Sequence, residues 1–153
     1  MAEVENIRRG LAALLRQVYP VGVGHVGIYF KDAPAPPALQ VIGVERMAPI
    51  DFADGADWTW LIEGYFGTIT DRGAQTRLDE LLATDKVWEA VESDNARAGA
   101  LFSRLLDDGA TVTTDADDPA ADQVSFLEYR GSSRIERGGA DALVGTWAVR
   151  VLT

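Results

Sequence analysis

The chain of 153 residues has no cysteine and a single histidine, His25. The first absence excludes disulfides, thiolate metal sites and thiol nucleophiles. One histidine without cysteines cannot build a His-rich metal site. No motif aims a serine at His25, so a catalytic triad is not expected either. There is no apolar run of the roughly 18 residues a membrane helix needs, so no membrane span is expected. The start, Met1 to Asn6, is acidic and then turns basic. A secretory leader runs basic first and then apolar, so secretion is not expected. Basic residues are also scarce. Lys and Arg number 14 against 24 Asp and Glu, a net charge of −10. Free nucleic-acid binding needs the reverse.

What is present is enough apolar residue, 47%, for one core and one domain covering 1–153. Val4, Ile7, Leu11, Leu14, Leu15 and Val18 recur at spacings of three and four, which predicts an amphipathic helix over 3–18. Pro20 and Gly22 stop it. Alternation predicts a strand over 23–30. The stretch from Asp32 to Ala38 holds three prolines and reads as an extended loop. Leu39–Val44 reads as a short strand, and Glu45–Asp57 as a polar, acidic loop.

Trp58–Ile69 is the longest strand candidate, rich in aromatic and β-branched residues. Trp58, Trp60, Ile62, Gly64 and Phe66 share one face, and Thr59, Leu61, Glu63, Tyr65 and Gly67 the other. Both faces are apolar except at Glu63, which suggests a central strand or one covered by a neighbouring subunit. Thr70 or Asp71 caps the next helix, with Ala74, Leu78, Leu81 and Leu82 as its stripe. A further helix is expected from Thr84-Asp85 through Val87, Trp88 and Val91, with Leu101, Phe102, Leu105 and Leu106 continuing the pattern to Gly109. Residues 110–122 read as a polar loop. Two closing strands, about 123–135 and 142–152, flank a Gly-Gly turn.

No motif carries chemistry. Gly22 to Gly27 matches G-x-G-x-x-G, but it follows a helix and enters a strand, the reverse of a dinucleotide site. Asp115, Asp117, Asp118 and Asp122 resemble part of a calcium loop. Ala120 stands where Gly is needed, however, and Phe126 where Glu is needed. Asp79/Glu80 and Asp107/Asp108 are adjacent pairs that read as exposed helix charge rather than as an acid–base couple. No catalytic, cofactor-binding or metal residues are therefore assigned.

Four segments carry a family resemblance: Ile7–Leu15, Thr70–Leu82, Val87–Ala90, and the close at Tyr129–Gly131 with Val144–Val151. Together with the element order they resemble the tail terminator proteins of long-tailed siphoviruses, particularly those infecting actinobacteria. In that family the second segment follows a long strand and opens the central helix with Asp-Arg-Ala-Ala-Gln or a near variant; here it reads Asp71-Arg-Gly-Ala-Gln75. The chain departs from the family at 110–122 and in its Pro-rich stretch.

The resemblance implies a structural protein, not an enzyme. It would form a hexameric ring at the head–tail junction of a virion assembled in the host cytoplasm. The ring would stop tail-tube growth and meet both the tail tube protein and a head-completion (stopper) protein. DNA would pass through its lumen without specific binding, and an acidic bore would suit that passage.

The expected architecture is α/β (α+β): a mixed, mainly antiparallel sheet of about five strands with helices on one face. Trp58, Trp60 and Tyr65 are the candidates for the subunit interface. Asp51, Asp54 and Asp57 in one loop, and Arg134, Arg137 and Asp141 in the Arg130–Asp141 loop, are those for axial partner contacts. Two other readings stand beside this one. The first is another head–tail connector or tail-tube ring protein. The second is a small acidic bacterial α/β enzyme or ligand-binding domain, which would need a concave pocket with converging polar groups.

Overall fold

The computed structural model describes residues 4–32, 34–50, 55–84, 86–93 and 101–153. The chain runs α1 (Val4–Val18), β1 (His25–Gly27), β2 (Ala38–Pro49), β3 (Ala56–Thr68), α2 (Arg72–Thr84), α3 (Lys86–Glu92), β4 (Ser103–Leu105), β5 (Val112–Thr114), β6 (Gln123–Arg137) and β7 (Ala140–Leu152). Five strands form one sheet in the order β1-β2-β3-β7-β6. Only β1–β2 is parallel; the other three pairings are antiparallel. This is the mixed, mainly antiparallel α+β sheet that the alternation foretold.

The helices lie on one face. There Trp58, Trp60 and Ile62 of β3, Trp147, Val149 and Val151 of β7, and Leu39 and Val41 of β2 share a core with Ile7, Leu11 and Leu15 of α1, Leu78 of α2 and Val87 of α3. The period of two along the strands meets the 3.6 period of the helices, so each element buries the stripe its sequence carries. Trp88 is the tryptophan outside this core, 46% exposed on α3.

A close approach fixes the middle of the sheet. Gly64 and Gly145 face each other across β3 and β7. A Cβ on Gly64 would lie 2.6 Å from the Phe66 ring and 3.0 Å from Trp147. The paired glycines leave a trough for both rings, which meet edge to face at 6.5 Å.

Four expectations need correction. The strand over 23–30 shrinks to three residues, because β1 has only His25↔Ala38 to Gly27↔Gln40 as its register. Glu45–Asp57 is not one loop. β2 continues to Pro49, paired out to Pro49↔Ala56, and Asp57 lies inside β3. Its polar residues are those of an outer strand, where charge is tolerated. Residues 101–106 do not prolong a helix; Ser103–Leu105 is β4. In the loop predicted for 110–122, Val112–Thr114 is β5, and the two strands pair as a separate two-stranded sheet against α1.

Candidate interaction surface

Among the described residues, no helix lies on the sheet face opposite α1, α2 and α3. On it lie Asp57, Thr59, Leu61, Glu63 and Tyr65 of β3, beside Val144, Thr146, Ala148 and Arg150 of β7. One end of this face is covered by the chain itself. The Lys31 backbone N–H donates to Gln40 Oε1 at 2.6 Å, and Gln40 Nε2 donates back to the Lys31 carbonyl at 3.1 Å. The Gly138 N–H donates to Asp32 Oδ2 at 2.7 Å. The Arg137 guanidinium sits 5.0 Å from the centre of the Phe30 ring and binds Glu63 Oε2 at 2.9 Å. This strap explains how Gln40 and Glu63 come to be buried on a helix-free face. A buried carboxylate needs a hydrogen-bonded counter-charge, and Arg137 supplies it. On the same face, Tyr65 packs with Ala38, Ala142 and Val144 in a small second cluster.

The other end stays open. Arg46, Asp57, Thr59, Leu127 and Arg150 line a hollow of about 270 Å³ there. Asp57 accepts two hydrogen bonds from Arg150, at 3.0 and 2.8 Å, and they hold its pKa below the usual carboxylate value. Arg130 of β6 pairs with Glu128 on its own strand and with Glu45 of β2.

The margins of the sheet are open as well. β6 pairs only with β7, and β2 pairs with β1 only through Gln40. Beyond that point β2 is an outer strand, broken by register shifts at Val41/Gly43 and Val44/Arg46. Val44, Met47 and Ile50 stand exposed along it. Such a margin presents unpaired N–H and C=O groups to any strand of matching register, and bulges and charges temper it.

Trp58 and Trp60 lie inside the chain's own core. Trp60 is fully buried with its Nε1 unpartnered, and Trp58 Nε1 donates to Thr153 Oγ1 at 3.1 Å. Tyr65 is buried in the second cluster. Asp51 and Asp54 lie outside the described residues. The stretch 130–141 is not a loop: 130–137 belongs to β6, and the turn is Gly138-Gly139. Arg137 is occupied by Glu63, Arg134 is exposed on β6, and Asp141 gives its carbonyl to the Ile69 N–H at 3.0 Å. The structure therefore does not gather the seven described residues of this set into one site.

The adjacent acids are also spread out. Asp108 accepts from the Thr111 hydroxyl and from the backbone N–H groups of Thr111 and Ala110, which hold it down at about 2. Asp107 pairs with Arg9 at 2.6 Å. Among the described residues no three of His, Cys, Asp and Glu converge as a metal would require, and no helix is long and apolar enough to cross a membrane.

Sequence reasoning missed the arginines that hold backbone. Arg8 Nη1 donates to the carbonyls of Ile28, Val41 and Ile42 at 3.0, 2.7 and 3.3 Å. These carbonyls stand just past β1 and at the first bulge of β2, where the regular ladder is broken. The only hint in the sequence is a charged residue next to the apolar stripe of α1. No protein-family model matches the chain, and no curated protein is similar enough to match it.

Proposed function

We propose that the chain is a structural virion protein that closes into a ring on the head-proximal end of a phage tail tube. It stops tube growth, offers the joining surface to the head, and lets DNA through its bore. One observation carries this reading. Among the described residues, the five-stranded sheet has an open margin at each side, β6 on one and the outer half of β2 on the other. Contact between unlike margins is head-to-tail, and such contacts make a closed ring when the rotation per copy closes. The resemblance adds its order of elements: Thr70–Leu82 follows the long β3 and supplies α2. Tyr65, buried in the free chain, then belongs to the subunit's own packing rather than to the contact with a neighbour.

The mass of the purified protein in solution and on tube ends tests the reading. Six copies of 16.5 kDa give about 99 kDa. A ring of that size that stays bound to tube ends supports it. A monomer that never associates, with or without tubes, overturns it. Long filaments of the protein alone identify a tube protein instead. Val44→Lys together with Met47→Lys, placed on the outer half of β2, should abolish the ring and leave the fold intact, because charge on an open margin blocks strand addition.

A further inference from the structure

A second feature, independent of ring formation, lies on the helix side. Between α1 and the β4–β5 hairpin is a cavity of about 580 Å³, within the range of small-molecule sites. Its walls are mainly apolar: Leu14, Leu101, Phe102 and Val112. Three polar side chains, Gln17, Ser103 and Thr114, and one cation, Arg16, complete it.

Arg16 is only 9% exposed. Its Nη1 donates to the carbonyls of Tyr19 and Gly24, both at 2.9 Å. Its Nε is enclosed without a partner, and among the described residues no carboxylate pairs with it. Burial alone lowers its pKa, with no acid beside it to offset the shift. Arg8 and Arg104, less buried, are likewise held by carbonyls alone, whereas two other half-buried arginines have acids. Arg9 has Glu5 and Asp107, and Arg137 has Glu63. In Arg16, Nη1 holds the end of α1 to the turn before β1 and Nε is enclosed, so Nη2 is the nitrogen left to meet a carboxylate.

We propose that this cavity binds a small organic acid. Its carboxylate pairs with the Arg16 guanidinium, and its apolar body lies among Leu14, Leu101, Phe102 and Val112. An inorganic anion would leave those walls bare, and a neutral apolar molecule would leave the cation uncompensated. The occupant that satisfies both is a monocarboxylate with a short hydrocarbon or aromatic tail.

Hexanoate is the probe, with hexanamide as its uncharged match, read by calorimetric titration and by thermal unfolding of the full chain. Hexanoate is expected to bind saturably and raise Tm, and hexanamide to do neither. Arg16→Gln should weaken hexanoate binding by about tenfold or more, the loss of a charge-assisted hydrogen bond. Thr114→Trp crowds the rim from an exposed strand and leaves Arg16 in place; it should weaken binding similarly, which keeps the test open if Arg16→Gln folds poorly. The proposal fails if hexanamide binds as tightly as hexanoate, or if no saturable binding occurs. It also fails if both variants bind hexanoate like the parent. Binding of a glutamate-bearing peptide where hexanoate fails would replace it with a protein-docking role.

Discussion

Beneath the helices, Arg8 and Arg16 direct their guanidinium groups at backbone carbonyls. On the opposite face, Arg130, Arg137 and Arg150 direct theirs at carboxylates. The difference follows from what each face leaves unpaired. On the helix side the helix end, the turn and the bulge leave carbonyls without ladder partners, and a long cation supplies several donors at once. On the helix-free side the arginines stand beside acids instead: Arg150 beside Asp57 of the adjoining strand, Arg137 beside Glu63 at the strap, and Arg130 beside Glu128 of its own strand and Glu45 of β2. There they gain a Coulomb attraction weakened by water. On the helix side Arg8 and Arg16 finish the backbone, and Arg9 and Arg77 serve a carbonyl and a carboxylate together; the arginines of the other face neutralise charge on a surface open to contact.

The comparison can be broken in order of expected effect. Trp60→Ala removes a fully buried indole from the helix side, and should cost about 3–5 kcal/mol in denaturant unfolding. A loss below about 1 kcal/mol would mean that the two faces are equally loose. Arg8→Met keeps the hydrocarbon stem but strands the carbonyls of Ile28 and Val41; about 2 kcal/mol should be lost, as for hydrogen bonds to a charged group. The matched change Arg150→Met, at a partly exposed pair, should cost less than about 1 kcal/mol. Equal losses would erase the distinction between the two uses of arginine. Leu127→Arg, on the open hollow, should shift stability by no more than about 0.5 kcal/mol. Its effect should appear instead in the assembly state.

Acid and base separate the faces in another way. Burial raises the Tyr19 pKa to about 12, with nearby Glu80 adding to the shift and Arg77 opposing it. The folded pKa lies above the unfolded value of about 10. The stabilisation by the neutral phenol is therefore complete below pH 10 and is lost as pH rises from there toward 12. Tyr19→Phe should flatten that alkaline limb of a stability–pH curve. Arg150 lowers the Asp57 pKa on the open face. Its contribution is present above the unfolded value of about 3.9 and fades as pH falls below it. Asp57→Asn should flatten the acid limb and leave the alkaline one unchanged.

Most of the sheet was legible from pattern. The alternation of Trp58, Trp60, Ile62 and Phe66 gave β3 its helix-side face, and the spacing of Ile7, Leu11, Leu14 and Leu15 gave α1. Gly138-Gly139 marked the last hairpin to within two residues. The failures share a cause. Leu101, Phe102, Leu105 and Leu106 have a spacing that a helix or a short hairpin can satisfy, and only the contact with α1 decides between them. Glu45 and Arg46 look like loop residues because outer strands carry charge. The strap from Tyr29 to Asp32 and the carbonyl contacts of Arg8 depend on partners up to about a hundred positions away, such as Asp32 with Gly138, and no local pattern encodes them. For the same reason Trp58 and Trp60 read as contact residues, although the chain covers them itself.

That covering has an optical consequence. Three indoles, those of Trp58, Trp60 and Trp147, are sheltered, and the fourth, on α3, stands half in water. The protein's ultraviolet emission should therefore divide into a blue, protected part and a redder part open to dissolved acrylamide. The second part would give α3 a signal of its own, readable without any label.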